Sequence, residues 1–188
     1  MKIEIRQINN EEIVHLSGYI NAVGRESKLL SDTINGHFVE VAEPGVFRNS
    51  LEKNPDIPML LNHNHQREIG RNGQNVVLRE DSIGLKFEAD INDKEVIELA
   101  KNNELVGCSF GFTDIISLRE PKRGTINRRT LQEINLQEVS ILSKGHMPAY
   151  YGTLVEARTE NEQPKEIRYI DTDPLYKEKL LLVIKTYL

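Results

Sequence analysis

Three polar residues of this sequence carry the functional groups that a serine hydrolase uses. They are His63 in the segment NHN, Ser109 in CSFGF and Glu138 in QEVSI. A serine hydroxyl is a poor nucleophile near neutral pH unless a base takes its proton, and that base works best when a third group orients its ring. The three residues could therefore act as nucleophile (Ser109), general base (His63) and orienting acid (Glu138).

The neighbours of Ser109 indicate which group of its segment would be the nucleophile. Side chains of a strand alternate between its two faces. Cys108 and Phe110 would then point into the core, whereas Ser109 would lie on the opposite face. Gly111 leaves room there for a substrate backbone. Because a buried thiol is normally inert, we predict Ser109 rather than Cys108 as the nucleophile.

His63 and His65 leave a second chemistry open. His63 closely follows an apolar stretch, and an imidazole can transfer protons near neutral pH. In an extended segment, His65 would point to the same side as His63, an arrangement that also suits a metal ion. A metal-dependent hydrolase using both rings is therefore an alternative, although the sequence has no HExxH helix. Otherwise His65 is a solvated loop residue.

Glu138 lies in an apolar segment and is expected to be at least partly buried. A buried carboxylate is costly unless it has a cation or a hydrogen-bond donor as partner. His63 is one candidate, since a carboxylate that accepts a hydrogen bond from the ring would favour the imidazolium formed during acyl transfer. A structural ion pair with Arg128 or Arg129 is the alternative.

Short stretches with an apolar residue at every second position predict a mainly β fold. The predicted strands are Lys2–Ile8, Val14–Val23, Phe38–Ala42, Ile57–Leu61, Asn75–Arg79, Leu85–Ile91, Leu105–Leu118 and Thr130–Leu142. Two short helices are predicted at 44–54, with Pro44 at the first helical position, and at 92–103, after an Asn-Asp capping signal. Many short strands with few helices indicate a closed or nearly closed antiparallel barrel, which has no exposed strand edges.

Composition divides the chain and limits its partners. Residues 1–158 would form the barrel domain, 159–173 a polar linker and 174–188 an amphipathic helix. The net charge of -5 argues against nucleic acid as a partner. The longest apolar run, Leu180–Ile184, is too short to cross a bilayer. Cys108 is the only cysteine, so no internal disulfide can form.

Further motifs accompany the three polar segments in a fixed order along the chain. They are GYIN at 18–21, EPGVF at 43–47, LLNHN at 60–64, IGR at 69–71, DSIGL at 81–85, SFGF at 109–112, LQEVSIL at 136–142 and PA at 148–149. In order and spacing they resemble the prohead (procapsid) maturation proteases of tailed phages, over about residues 13–158. That family is distantly similar to the herpesvirus assemblins.

The resemblance implies a serine endopeptidase on an assemblin-like barrel, with Ser109, His63 and Glu138 as catalytic residues and no cofactor. Its targets would be the scaffold, or a scaffold segment of the capsid protein, inside the immature shell in the host cytoplasm. It would also cleave itself, which would make residues 174–188 a removable tail. Capsid and scaffold proteins would be its partners. The assemblin comparison further implies self-association, for example as a homodimer.

The same comparison supplies alternatives for individual roles. Assemblins use a histidine as the third catalytic member, which makes His146 the alternative to Glu138. They place arginines beside the developing oxyanion, and fixed donors there contribute strongly to catalysis, so Arg128 and Arg129 would have this role. A noncatalytic barrel that binds capsid or scaffold proteins is the alternative to an enzyme.

Overall fold

The computed structural model describes residues 1–8, 11–32, 36–123, 126–150 and 156–157. Their elements are β1 (Lys2–Ile8), β2 (Glu11–Ala22), β3 (Leu30–Asp32), β4 (Gly36–Ala42), α1 (Val46–Lys53), β5 (Pro58–Leu61), β6 (Glu68–Arg71), β7 (Val76–Glu80), β8 (Gly84–Ile91), α2 (Lys94–Lys101), β9 (Leu105–Arg123), β10 (Ile126–Ser143) and β11 (Glu156–Ala157). The predicted linker, 159–173, and the predicted helix or tail, 174–188, lie outside the described residues. Neither α1 nor α2 has the length and hydropathy that crossing a membrane requires.

The described strands form two sheets. The first has the order β11-β1-β2-β8-β7 and is antiparallel except for the parallel pair of β1 and β11. The second has the order β3-β4-β10-β5-β6, with β9 also paired to β10. β10 therefore has antiparallel β9 along one edge, while its other edge pairs in parallel with β4 and further on with β5.

The mainly β prediction is confirmed, whereas the expectation of purely antiparallel pairing is wrong. β10 spans 18 residues, so one of its edges accommodates two short strands that are not its hairpin neighbours. Strands that reach a sheet by a crossover instead of a hairpin can pair in parallel. The described strands form two separate hydrogen-bonded sheets. No closed barrel is seen among these strands.

All eight predicted strands and both predicted helices are present; β1 has the predicted bounds, and the other elements have shifted ends. β9 continues to Arg123 and β10 starts at Ile126, so both strands are longer than predicted. Their outer parts were missed because they are polar and have no alternating pattern. β3, β6 and β11 are strands of 3, 4 and 2 residues. Segments this short contain too few residues for a period of two to show, so the sequence does not predict them.

The start of α1 is capped by a residue from another element. The helix begins at Val46, so the prediction that Pro44 is its first residue is wrong. Gly45 precedes it with φ 94°, a left-handed conformation that glycine adopts without strain, and it supplies no side-chain cap. The carboxylate of Glu80 on β7 instead accepts hydrogen bonds from the backbone N–H groups of Gly45 and Arg48. These are donors that a helix start leaves unpaired.

Both sheets and both helices contribute to one hydrophobic core. Phe47 of α1 lies edge-on to Phe110 of β9, with 5.2 Å between ring centroids. The Sγ atom of Cys108 lies 3.6 Å from Met1 Sδ, and Cys108 is only 1% exposed. Ser109 is partly exposed. The predicted alternation along this part of β9 is therefore confirmed.

Replacing Glu80 with Ala should lower the free energy of unfolding by about 1 kcal/mol, the usual effect of losing a helix cap. Urea unfolding followed by circular dichroism measures this. Glu52→Ala is the matched control, because Glu52 is an exposed residue of the same helix. Equal effects of the two substitutions would show that Glu80 does not cap α1.

Candidate active site

The pairing of β9 with β10 places four residues on one face of the second sheet. Ser109 lies opposite Ser140, and Gly111 lies opposite Glu138. In an antiparallel pair, opposite residues project from the same face, as do residues two apart on one strand. These four residues therefore lie side by side, on the face opposite to the one that contributes Cys108 to the core.

His63 reaches this face through a tight turn after β5. β5 runs parallel to β10, with Leu60 aligned with Ser140. Asn62 and His63 then have φ values of 57° and 58°, and the N–H of Asn64 donates to the carbonyl of Leu61 at 3.1 Å. Two successive left-handed residues spanned by such a bond are typical of a type I′ turn. The chain reverses there, and the His63 ring meets Glu138.

The structure brings His63 and Glu138 into direct contact, so His63 is the partner of Glu138 and Arg128 and Arg129 are not. His63 Nδ1 lies 2.7 Å from Glu138 Oε1, and the side chains are 42% and 4% exposed, respectively. A carboxylate only accepts, so Nδ1–H donates. The bond to Glu138 raises the pKa of His63 above its usual 6.5, and partial burial opposes this effect. Glu138 thus has the partner that its burial requires.

Ser140 supplies the second hydrogen bond to the Glu138 carboxylate. Its hydroxyl donates to Glu138 Oε2 at 2.6 Å, and its oxygen accepts a hydrogen bond from the His63 backbone N–H at 3.1 Å. Both carboxylate oxygens of Glu138 are therefore bonded. The local sequence does not distinguish Ser140 as a site residue, and its one signal is a hydroxyl residue within a largely apolar segment.

Gly111 is the position that admits the Glu138 carboxylate. A Cβ atom at residue 111 would lie 2.5 Å from Glu138 Oε1 and 3.2 Å from its Cδ. Real Cβ atoms essentially never come within 3.0 Å of another heavy atom, so the contact with Oε1 would force the carboxylate to move. The missing side chain of Gly111 therefore makes space for the carboxylate, a role that the strand pattern did not indicate.

Asn62 fixes the turn to β10. Its side-chain Nδ2 donates to Ser143 Oγ at 2.8 Å, and its Oδ1 accepts from the Ser143 backbone N–H at 2.8 Å. The left-handed conformation of Asn62 is one that asparagine tolerates better than most residues.

Ser109 lies on the same sheet face as Glu138 and Ser140 but, in the described part of the chain, makes no hydrogen bond to His63. The Cβ atoms of opposite residues are about 5 Å apart, so Ser109 is a direct neighbour of Ser140.

Burial raises the pKa of the Cys108 thiol to about 12, which keeps it protonated near neutral pH. This favours Ser109 over Cys108.

The other two predicted histidines, His65 and His146, make no hydrogen bond to Glu138. Both are exposed. Within the described ranges, no group of three or more His, Cys, Asp or Glu side chains is placed to hold a metal ion. The metal-dependent alternative therefore has no ligand set in this part of the molecule.

Arg128 and Arg129 bind other carboxylates. Arg128 Nη2 lies 2.5 Å from Glu26 Oε1. Arg129 pairs with the buried Glu40, and its guanidinium lies 4.9 Å from the Phe38 ring centroid. Neither arginine is the partner of Glu138 in this structure. Their oxyanion role stays a prediction, and these ion pairs do not support it.

A family model described as caudovirus prohead serine protease matches residues 1–166. The matched region contains Ser109, His63 and Glu138, and the match confirms the resemblance to prohead maturation proteases. No curated protein and no solved structure matched the chain. The family implies a serine peptidase of phage capsid maturation.

Replacing Gly111 with Ala should displace the Glu138 carboxylate while leaving the sheet folded, because the new methyl group would overlap Oε1. We expect the pKa of His63, measured by NMR titration of its ring protons, to fall towards 6.5. Thr113→Ala, an exposed position of the same strand, is the control. A His63 titration identical to wild type would contradict the proposed role of Gly111.

The stability of the protein should depend on the ionisation of His63. Because its pKa is raised in the folded state, the charged ring stabilises the fold fully below 6.5, and this contribution is lost as pH rises through the folded pKa. Urea unfolding at a series of pH values should show this loss in wild type and much less of it in Glu138→Gln. Glu68→Gln, which removes an exposed carboxylate paired with Arg71, should behave like wild type.

Proposed function

Because the chain belongs to the caudovirus prohead serine protease family, we propose that Ser109, His63 and Glu138 form the site of a serine endopeptidase. One observation carries the proposal: His63 Nδ1 and Glu138 Oε1 are 2.7 Å apart on the sheet face that Ser109 shares. With Nδ1–H bonded to the carboxylate, the Nε2 atom of His63 remains as the acceptor for a hydroxyl proton.

The proposed reaction is acyl transfer through a serine ester. The Ser109 hydroxyl turns about its single side-chain torsion towards His63 Nε2, which takes the proton while Oγ attacks the peptide carbonyl carbon. The C–N bond then breaks, and His63 returns the proton to the leaving amine. Water attacks the resulting ester by the same route in reverse, which releases the second product and restores Ser109.

Glu138 has two effects in this scheme. Its hydrogen bond holds the His63 ring in the tautomer that leaves Nε2 free, and its charge stabilises the imidazolium that forms. The same bond raises the pKa of His63, which makes the ring a stronger base. Activity should therefore increase as pH rises through the pKa of His63, because only the neutral ring can accept the proton.

The proposed substrates are the scaffold, or a scaffold segment of the capsid protein, and the protease itself. The family implies association with the procapsid, where these proteins would be the partners. Enclosure within a shell raises the effective concentration of substrate, so weak binding would be sufficient. Self-association, expected from the assemblin comparison, stays a prediction.

Co-expression with the capsid and scaffold proteins of the same phage, followed by mass measurement of the fragments, tests the proposal. Wild type should cleave them, and Ser109→Ala should not, because the substitution removes the hydroxyl proposed to attack the peptide bond. Cys108→Ala is the matched control: it alters the adjacent residue on the core face and should retain cleavage. His146→Ala should also retain cleavage, since His146 is exposed and makes no hydrogen bond to Glu138.

Each alternative has its own result in this experiment. Cleavage by Ser109→Ala but not by Cys108→Ala would make the thiol the nucleophile. Loss of cleavage with a chelator, together with full activity of Ser109→Ala, would favour a metal-dependent hydrolase. Binding of capsid or scaffold without cleavage by any variant would indicate a noncatalytic protein.

A further inference from the structure

Ser140 contacts both the His63 backbone and the Glu138 side chain. It is 1% exposed, donates to Glu138 Oε2 at 2.6 Å and accepts from the His63 N–H at 3.1 Å. It also lies directly opposite Ser109. We propose that Ser140 is a positioning residue that holds both His63 and Glu138 in the geometry required for proton transfer from Ser109. This inference rests on the proposed function.

The hydrogen-bonding capacity of a hydroxyl explains why a serine suits this position. A hydroxyl donates one hydrogen bond and accepts two. Since a carboxylate accepts and a backbone N–H donates, the Ser140 proton must point at Glu138 while its oxygen faces the His63 N–H. Its only proton is therefore donated to Glu138. Ser140 thus does not donate a hydrogen bond to Ser109 that would compete with His63.

The second contact acts on a strained part of the backbone. His63 has φ 58°, a left-handed conformation that is unfavourable for a residue with a side chain. Its N–H lies at the point where the ladder between β5 and β10 ends, so it needs an acceptor outside that ladder. Ser140 Oγ supplies this acceptor. One side chain thus fixes the backbone of the proposed base and the carboxylate that orients its ring.

Ser27 is a buried serine whose hydrogen bonds, unlike those of Ser140, involve no side chain of the proposed site. Ser27 is 4% exposed, and its hydroxyl also makes two hydrogen bonds, to Lys28 O at 2.7 Å and from the Glu40 N–H at 2.8 Å. Both partners are backbone groups, away from His63. Ser27→Ala therefore removes the same chemical group from a similar environment and is a matched control.

Two measurements on Ser140→Ala test the proposal. A fluorophosphonate probe, which reacts with activated serines, should label Ser109 with a maximal rate about 10- to 100-fold below wild type, as expected for losing a hydrogen bond to a charged group. The probe concentration that gives half the maximal rate should change less than about twofold, because the hydroxyl orients the base and does not bind the probe. NMR titration should show the pKa of His63 falling towards 6.5.

Further variants separate positioning from folding. Ser27→Ala should leave both measurements at wild-type values. Ser140→Cys nearly keeps the shape of the side chain but is a weak donor, so it should show the same losses even where Ser140→Ala fails to fold. Ser140→Thr retains the hydroxyl and should recover most of the labelling rate.

The titration needs no peptidase activity, so the two proposals can fail separately. Suppose that the wild-type protein is labelled, and that Ser140→Ala and Ser140→Cys have the same labelling rate and the same His63 titration as wild type. This result would overturn the positioning role of Ser140 and leave the endopeptidase proposal intact. A wild-type protein that never reacts with the probe, but whose His63 titration responds to Ser140→Ala, would overturn the endopeptidase. The role of Ser140 in holding His63 and Glu138 together would then stand without the reaction.

Discussion

The pairing of β9 with β10 is the constraint on which the core and the candidate site both depend. Residues of β9 that face the core, such as Phe110, alternate with the residue that faces outward, Ser109. A slip of one residue would exchange the two faces and expose Phe110 while burying Ser109. The free energy of burying the apolar side chains therefore also holds Ser109 opposite Ser140, and Gly111 opposite Glu138.

Among the residues that the structure describes, two buried carboxylates, Glu40 and Glu138, are neutralised in different ways. Glu40 pairs with Arg129 and accepts a hydrogen bond from the Tyr150 hydroxyl at 2.6 Å. Burial and the nearby Glu40 raise the pKa of Tyr150, which therefore remains a neutral donor. Glu138 pairs instead with His63, which can lose its proton near neutral pH. Only the second arrangement can take part in proton transfer, whereas the first is a fixed structural contact.

The turn after β5 shows how the fold maintains an unfavourable backbone at this site. Left-handed conformations at Asn62 and His63 cost free energy, and they persist because surrounding contacts over-determine them. Asn62 is bound to Ser143, and the His63 N–H is bound to Ser140. Both anchors lie on β10, the strand that also carries Glu138. A single strand thus positions the base through its backbone and through its ring.

The sequence by itself determined eight of the eleven described strands, both described helices and the face of β9 on which Ser109 lies. Alternation along β9 predicted that Ser109 would face away from the core, and the apolar surroundings of Glu138 predicted its burial. Only the tertiary structure decided between His63 and an arginine as the partner of Glu138, and it revealed the roles of Gly111 and Ser140. Periodic patterns report on neighbours a few residues apart, whereas His63 and Glu138 are separated by 75 positions. Such a contact is fixed by strand register and by one turn, and neither has a local signature strong enough to predict it.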